Sequence, residues 1–356
     1  MTNKSLEQIY ALHNGKVSDK WSSYLVEYGR IFGEYRDKPV SLLEIGVQNG
    51  GSLEIWSKYF TNAKNLLGCD INLDCANLVF EDSRIEIVVG DANSDVVQLK
   101  LLQHAAIFDL IVDDGSHCSS DIVRSFAKYF PHLADGGIFV VEDLHCSYWA
   151  EFEGGLYDPF SSIMFFKRLA DIVNHEHWGI DKSRTEILHG FYLKYNFQID
   201  EELLKHIHSI EFINSICVIR KNAPQNNILG SRIISGSDES IAPGGLDLQS
   251  APTQVPSQDT NAMAARSIPP EEDVLRLENE ISCLNNKVIE RDRNIADFSK
   301  QLEYRDSDIT LLQQVVAEQQ EKVDDFYNST SWRITKPLRF IYNLYTKILH
   351  TFRIKH

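Results

Sequence analysis

The sequence predicts an α/β fold in which a mostly parallel, doubly wound sheet carries helices on both faces. Within residues 1–222, short apolar runs alternate with segments of helical periodicity, which is the pattern of βαβ units. A glycine-rich turn follows the first run, and two later runs end in paired acids. The predicted strands are 40–47, 65–71, 85–90, 108–113 and 137–142, closed by an antiparallel pair at 209–212 and 216–220. The predicted helices between them are 52–60, 73–80, 94–104 and 118–132.

The turn after the first strand carries the pattern Glu44-x-Gly46-x-x-x-Gly50-x-Ser52. Glycines let backbone N–H groups approach a ligand, and the helix start that follows offers unpaired donors. Asp70 ends the second strand, where an acid suits a ribose diol. The pattern differs from the dinucleotide motif G-x-G-x-x-G and resembles the first motif of class I S-adenosylmethionine methyltransferases. The alternative is a glycine turn of another α/β protein.

Composition narrows the classes of function. The chain has 356 residues, 43% of them hydrophobic, and a formal net charge of −16, which argues against a general nucleic-acid binder. The six cysteines are scattered without a C-x-x-C pair, so we expect reduced thiols in a cytoplasmic protein rather than disulfides or a zinc site. The polar first 15 residues predict no signal peptide, and no apolar run is long enough to predict a spanning helix.

Acidic pairs end the fourth and fifth strands. Asp113 and Asp114 follow one, and Glu142 and Asp143 follow the other. Ligands of open α/β sheets bind outside these strand ends, and acids gathered there need a cation such as Mg²⁺ to offset their repulsion. We expect His117 in the first turn of the next helix, either facing the ion or taking a proton from a hydroxyl group. The alternative is that these residues cap helices and hold backbone amides.

Several separated motifs together carry a resemblance. They are 18–21, 43–47 with Gly50–Ser52 and Trp56, 113–117, and 142–144 followed by Tyr148 and Trp149. Over residues 18–221 the chain resembles the metal-dependent macrolide-sugar O-methyltransferase family, which includes cephalosporin-hydroxylase-like proteins. The resemblance implies a Rossmann-like, seven-stranded class I methyltransferase domain, S-adenosylmethionine as cofactor and a divalent cation. It implies metal ligands at Asp114, Glu142 and Asp143, a catalytic base at His117, and cofactor contacts at Glu44, Gly46, Ser52, Asp70 and Asp91. We also assign a catalytic role to Asp114 and cofactor contacts to Gly50 and Asp113.

Other positions near these motifs bear on the acceptor. His145, Tyr148 and Trp149 are candidates for an acceptor pocket because sugars stack on aromatic rings, although core packing is an equal alternative. Family members often carry a histidine shortly after the Asp19-Lys20 pair, where this chain has serines. An N-terminal aromatic helix is predicted to pack over the sheet edge rather than to contact the cofactor; its aromatic residues are Trp21, Tyr24, Tyr28 and Phe32.

The rest of the chain has a different composition. Residues 223–270 are rich in Pro, Gly, Ser, Gln and Asn, which predicts a disordered linker. Residues 271–328 carry an unbroken heptad pattern over 274–326 that predicts a self-associating coiled coil, about 80 Å long at about 1.5 Å per residue. A dimer and a trimer both remain open, because every a position is apolar while Arg291, Arg305 and Gln319 occupy d positions.

Residues 329–356 form a basic tail. Between 331 and 356 there are six basic side chains and no acid, which leaves 29 bases against 51 acids elsewhere. From Pro337 onward we predict an amphipathic helix whose basic face suits an anionic membrane surface, with docking to a protein partner as the rival. The string 329–339 also resembles tails of bacterial surface-polysaccharide glycosyltransferases and their companions, which makes glycosyltransferases candidate partners.

These features lead to one functional hypothesis and two alternatives. The hypothesis is an O-methyltransferase that modifies a sugar hydroxyl of a bacterial surface polysaccharide or its lipid-linked precursor, in the cytoplasm at the inner face of the plasma membrane. The first alternative is a methyltransferase of a glycosylated secondary metabolite. The second is a non-catalytic scaffold of a polysaccharide-assembly complex.

Overall fold

The computed structural model describes residues 4–264 and 270–353. The chain divides into two compact units, Met1–Leu277 and Glu278–His356. Residues 265–269 of the predicted linker and residues 354–356 of the predicted tail lie outside the described residues. Within 223–264, the structure contains two short 3-10 turns, Pro224–Asn226 and Leu246–Leu248, and no longer helix or strand.

A seven-stranded sheet forms the centre of the first unit. Its spatial order is β3-β2-β1-β4-β5-β7-β6, with β1 to β5 parallel and β7 antiparallel to both neighbours. The order reverses between β1 and β4, which is where open α/β sheets bind ligands. The predicted sheet is confirmed. The strands are β1 Ser41–Ile45, β2 Asn65–Asp70, β3 Ile85–Val89, β4 Phe108–Asp113, β5 Leu133–Val141, β6 Ile207–Ile213 and β7 Ile216–Lys221.

Helices cover both faces of the sheet because side chains alternate along each strand. Leu42 and Val112 pack with the N-terminal helices α1–α3 on one face, while Leu43 and Ile111 pack with α4–α6 and α8 on the other. The α-helices of this unit are α1 Leu6–Ala11, α2 Ser22–Ile31, α3 Gly51–Tyr59, α4 Asp95–His104, α5 Ser119–Tyr129, α6 Ser162–Val173, α7 Arg184–Ile187, α8 His189–Tyr195 and α9 Glu201–Leu204.

Three predicted elements differ from the structure. The helix expected at 73–80 is only a 3-10 turn, Leu73–Asn77, which the Asn72 side chain caps by accepting from Asp74 N. The helix expected at 118–132 ends at Tyr129, because Pro131 lacks the N–H group that would continue it. Strand β5 begins four residues earlier than expected, through an irregular pairing with β4 that includes Gly136 at φ +82°.

The second unit is helical. Helix α10 spans Pro270–Asn328, which includes residues of the first unit at its start, and α11 spans Thr330–Arg353. The prediction that the tail helix begins at Pro337 is wrong, because Pro337 lies inside α11. Trp332, in the first turn, packs against Arg339, whose guanidinium lies 3.1 Å from the ring centre. Within the described ranges, no helix has both the length and the apolar character of a membrane span.

Candidate active site

The turn after β1 brings the two halves of the site into contact. Gly46 has φ +93° and Gly50 has φ +82°, the left-handed region that favours glycine. A Cβ atom on Gly46 would lie 2.0 Å from the backbone oxygen of Asp114, and the amide of Asp114 donates to the oxygen of Ile45 at 2.8 Å. The β1 and β4 loops therefore pack backbone to backbone, and only glycine fits at position 46.

A cavity of about 270 Å³ opens beside this contact, at the carboxyl ends of the parallel strands. Its wall includes four of the residues that the sequence assigns to the cofactor, namely Gly46, Asp70, Asp91 and Asp113. The other three do not line it. Glu44 is fully buried, accepts from Ser52 Oγ at 2.7 Å and lies 3.3 Å from Trp56 Nε1. Glu44 and Ser52 therefore stabilise the turn from the side away from the cavity. Gly50 is the N-cap residue of α3.

Asp70 is held by backbone amides. Its Oδ2 accepts from the amides of Val47 and Gln48, at 2.8 and 2.9 Å, and its Oδ1 accepts from Asn72 N at 2.8 Å. Burial opposes ionisation, but these N–H donors outweigh it and lower the pKa of Asp70. Asp70 is thus an ionised acceptor at the cavity wall, as contact with a ribose diol requires.

Three polar atoms of the cavity wall are buried without a partner. Within residues 4–264 and 270–353, Asn93 Oδ1, Asp113 Oδ2 and Ser125 Oγ make no hydrogen bond of good geometry. Burial raises the pKa of Asp113 to about 7, although its Oδ1 accepts from Gly115 N at 3.3 Å. Unpaired buried polar atoms are costly, so a cavity with three of them fits a polar ligand such as a nucleoside.

The paired acids meet beside this cavity, as the sequence predicts, and a lysine joins two of them. Lys20 Nζ donates to Asp114 Oδ2 at 2.5 Å and to Glu142 Oε1 at 2.8 Å. Its side chain is 5% exposed and that of Glu142 is 2% exposed. Burial lowers the pKa of Lys20, but the carboxylates of Glu142 and Asp114 outweigh burial and raise it. The ammonium group is therefore charged, and it offsets part of the repulsion between the acids.

Asp114, His117 and Asp143 form the group that could hold a metal ion. One ligand atom from each lies within 4.8 Å of the others. His117 Nε2 lies 3.7 Å from Asp143 Oδ2. His117 and Asp143 both have positive φ angles, +59° and +50°, so their backbones turn sharply at the strand ends. The structure brings together three residues that the sequence singles out, although His117 precedes α5 instead of lying in its first turn.

Glu142 lies outside that group. Its Oε1 accepts from Tyr28 OH at 2.6 Å as well as from Lys20, and its side chain is buried. Consecutive side chains at the end of a strand point in different directions, so Glu142 and Asp143 have different neighbours. The role of Glu142 as a metal ligand stays a prediction.

Aromatic residues surround the open side of the metal-binding group. His145 packs edge-on against Trp149, with ring centres 5.0 Å apart, and against Trp21 at 6.1 Å. Tyr148 and Trp149 are 40% and 48% exposed. An exposed aromatic patch next to Asp143 fits an acceptor pocket for a sugar better than core packing.

The sequence assigned the N-terminal aromatic residues to core packing, which is only partly right. Tyr24, Tyr28 and Phe32 are buried, whereas Trp21 is 59% exposed. In the sequence, Lys20 is singled out only as part of the motif 18–21, yet its ammonium group contacts Asp114 and Glu142. No local spacing marks Lys20 as a partner of these acids, because it precedes α2 and meets Glu142 across 122 positions of the sequence.

Comparisons with known proteins agree with this geometry. The chain is 39% identical over 176 residues to 8-demethyl-8-alpha-L-rhamnosyl tetracenomycin-C 2'-O-methyltransferase of Streptomyces olivaceus, covering 46% of this chain and 45% of that protein. It is 36% identical over 183 residues to demethylmacrocin O-methyltransferase of Streptomyces fradiae, covering 48% and 45%. The chain thus spans about half the length of the curated relatives it matches. No model of a protein family matches it.

A solved structure defines the fold. The chain is similar to the MycE methyltransferase of the mycinamycin biosynthetic pathway, in complex with Mg, SAH and mycinamycin VI, with a TM-score of 0.52 and 24% identity over 63% of this chain and 55% of that one. The chain has a class I methyltransferase fold. The predicted fold class is therefore confirmed, and the sequence resemblance to sugar O-methyltransferases agrees with the names of the relatives.

Proposed function

We propose that this protein transfers the methyl group of S-adenosylmethionine to a hydroxyl group of a sugar and that it requires a divalent cation, with Mg²⁺ as the first candidate. One observation carries the proposal: Asp114 both lines the cofactor cavity and belongs to the metal-binding group. A methyl donor in the cavity and a hydroxyl beside the acids would therefore be neighbours. The relatives are named as O-methyltransferases, and the MycE complex contains Mg and SAH.

The residues of the chain have separable tasks. Asp70 and Asp91 bind the nucleoside end of the cofactor, and Asp113, which has an unpaired buried oxygen, accepts a donor from it. Asp114 and Asp143 supply the hard oxygen ligands that Mg²⁺ prefers. A bound divalent cation lowers the pKa of a hydroxyl group that it contacts.

His117 is the proposed base. The acceptor oxygen attacks the sulfonium methyl group, the carbon–sulfur bond breaks and S-adenosylhomocysteine leaves. The hydroxyl proton passes to His117 Nε2, and the carboxylate of Asp143, 3.7 Å away, stabilises the resulting imidazolium. S-adenosylmethionine is already activated, so the chain needs only to position the acceptor and remove its proton.

The acceptor class follows from the relatives' names. The two relatives described above are named for a rhamnosyl tetracenomycin and for demethylmacrocin. These names favour a glycosylated secondary metabolite over the surface polysaccharide of our first hypothesis. We therefore propose a glycosylated small molecule as the first acceptor to test, with polysaccharide fragments second.

The test is a methyl-transfer assay on the full-length protein. Rhamnosylated small molecules and polysaccharide oligosaccharides are offered with S-adenosylmethionine and Mg²⁺, and the products are analysed by mass spectrometry. We expect one methyl group on a sugar, loss of transfer in EDTA and recovery when Mg²⁺ is restored. Full activity in EDTA would remove the metal from the proposal. Binding of S-adenosylmethionine without transfer to any acceptor would favour the scaffold alternative.

The exposed row of α10 supports self-association. Along the predicted heptad, most apolar a and d side chains are half exposed or more, for example Ile295, Phe298 and Leu302 at 62–64%. In a parallel, in-register pair of helices, Lys287 at a g position would face Asp292 at the e position of the second copy. We propose that α10 pairs with a second copy of the chain.

Helix α11 supports a membrane-facing role. Ile334, Leu338, Ile341 and Tyr345 share one exposed face, and the basic residues lie on the opposite face. Because 331–356 contains no acid, this face suits an anionic membrane surface. We propose contact with such a surface, and docking to a glycosyltransferase or another protein is the competing outcome.

A further inference from the structure

One short segment near the N-terminus contacts all three carboxylates that the sequence assigns to the metal. Lys20 precedes α2, Trp21 is its N-cap residue, and Tyr24 and Tyr28 lie within it. None of these residues belongs to the strands that carry the acids. The contacts join positions 94 to 122 residues apart in the sequence.

The contacts to Asp114 and Glu142 each involve one of the two carboxylate oxygens. Lys20 Nζ bonds to Asp114 Oδ2 and to Glu142 Oε1, and Tyr28 OH donates to the same Glu142 Oε1 at 2.6 Å. Along the described chain, no side chain donates a hydrogen bond to Asp114 Oδ1 or Glu142 Oε2. Each carboxylate is thus held through one oxygen.

Asp143 follows the same rule. Trp21 Nε1 donates to Asp143 Oδ1 at 3.0 Å, and Tyr24 OH donates to that oxygen at 2.7 Å. The other oxygen, Oδ2, is the one that faces His117 Nε2 at 3.7 Å. The bonds from α2 therefore leave the oxygen on the His117 side for a ligand.

Burial makes the contacts of Lys20, Tyr24 and Tyr28 rigid, whereas Trp21 is exposed. Tyr24 and Tyr28 are at most 1% exposed, and the Lys20 side chain is 5% exposed. A carboxylate that is held through one oxygen presents the other in a fixed direction. Partners of this kind, which touch the ligand and not the metal, typically change metal affinity 10–100-fold when they are removed.

We propose that the segment 20–28 positions the metal-binding carboxylates, with Lys20, Trp21, Tyr24 and Tyr28 as positioning residues. It follows that occupation of the metal site and order in this segment are coupled: a bound divalent cation stabilises the segment, and a disturbed segment weakens the site. This inference rests on the metal requirement of the proposed function.

The test measures metal affinity and needs no acceptor. Mn²⁺ binding to the full-length protein is measured by electron paramagnetic resonance in Tyr24→Phe, in Trp21→Phe and in the unchanged chain. Neither substitution changes a charge: Trp21→Phe removes one N–H donor, and Tyr24→Phe removes a hydroxyl group that also contacts Ser215 and the amide of Asp143. We expect Mn²⁺ to bind 10–100-fold more weakly in both variants, with the affinity for S-adenosylhomocysteine unchanged.

A matched control separates positioning from general damage. Tyr195 is also buried and donates its hydroxyl, at 2.6 Å, to the backbone oxygen of Phe160, away from the acids. Tyr195→Phe should bind Mn²⁺ like the unchanged chain. If Tyr195→Phe weakens Mn²⁺ binding as much as Tyr24→Phe does, the positioning role is overturned.

A second measurement uses the unchanged chain, so it does not depend on a variant that folds. Hydrogen exchange of the backbone amides in 20–31 should slow when Mn²⁺ is added, while exchange in α9 stays constant. Unchanged exchange in 20–31 despite bound Mn²⁺ would overturn the coupling alone. Failure of the unchanged chain to bind Mn²⁺ would overturn both the coupling and the metal requirement of the proposed function.

Discussion

The two units of the chain differ in how far their apolar side chains are buried. In the first unit, Phe126, Phe139 and Leu169 are completely buried, and the acid Glu142 is paired inside the core. In the second unit, Phe298 and Leu302 lie 62–64% exposed on a long helix. The first unit thus buries a large apolar core and pairs Glu142 inside it. The second satisfies neither of its apolar rows internally, so its apolar faces fit contact with other molecules.

The largest expected effect tests whether methyl transfer takes place in the first unit. We expect His117→Ala to reduce the rate of methyl transfer about 10²–10⁴-fold, because the acceptor proton loses its base. Affinity for S-adenosylhomocysteine, measured by calorimetry, should not change. The control is His206→Ala, which removes an exposed imidazole that pairs with Asp135 at 2.9 Å. Equal rates in the two variants would remove His117 from the mechanism.

The next largest effect concerns the buried charges. Lys20→Met leaves Asp114 and Glu142 facing each other without the ammonium group, and removal of one partner from a buried ion pair costs about 3–5 kcal/mol. We expect chemical denaturation to show this loss in the free energy of unfolding.

An exposed pair provides the control for this prediction. Lys16→Met breaks an ion pair with Glu54 at 2.9 Å, in which the Lys16 side chain is 26% exposed, and should cost less than about 1 kcal/mol. Saturating Mg²⁺ should restore part of the stability of Lys20→Met, because a ligand that binds only the folded state stabilises it. A Lys20→Met variant as stable as Lys16→Met would contradict a tightly coupled charge cluster.

A third experiment sharpens the contrast at α10. Ile309→Asp places a carboxylate at an a position of the predicted coiled coil. Because the change occurs in both copies, the dimer loses about 3–6 kcal/mol of hydrophobic stabilisation. We expect the dimer dissociation constant to rise at least about 100-fold. Sedimentation equilibrium measures this change. Gln314→Asp adds the same charge at an f position and should leave the association intact. If both variants associate like the unchanged chain, α10 does not pair through this row.

The smallest effect is expected at α11. Ile341→Asp interrupts the apolar face, whereas Phe340→Asp removes an equally exposed apolar residue from the basic side of the helix. We expect Ile341→Asp to reduce sedimentation with phosphatidylglycerol vesicles about 10-fold, and Phe340→Asp to have little effect. Equal binding to vesicles of pure phosphatidylcholine would remove the electrostatic part of the proposal. No binding to either vesicle would favour a protein partner.

Patterns that are local in the sequence predicted most of the fold. Alternating apolar runs predicted the strands, and the glycines after the first run predicted the tight turn between β1 and α3. The convergence of Asp114 with Asp143 followed from topology, since the carboxyl ends of neighbouring parallel strands meet at one edge. The helix expected at 73–80 is only a short 3-10 turn, because the backbone turns to an extended conformation at Leu78 (ψ 127°).

Local sequence patterns could not predict which residues pair with the acids. Lys20 meets Glu142 across 122 positions of sequence, and no local spacing encodes that contact. Nor does the sequence say which of two consecutive acids, Glu142 or Asp143, turns toward His117, because this depends on a left-handed backbone angle at Asp143. Side-chain direction at a strand end is set by tertiary packing, which a single sequence does not display.

The close approach at Gly46 has a consequence for how this site can change over time. The atom that a larger residue would strike is a main-chain oxygen, at 2.0 Å, and no choice of rotamer or neighbouring mutation can remove a carbonyl group. In the proposed function, substitutions at the exposed rings of Tyr148 and Trp149 would change acceptor preference without such a clash. The contact between the loops that follow β1 and β4 has no such freedom, because both of its partners are main-chain atoms.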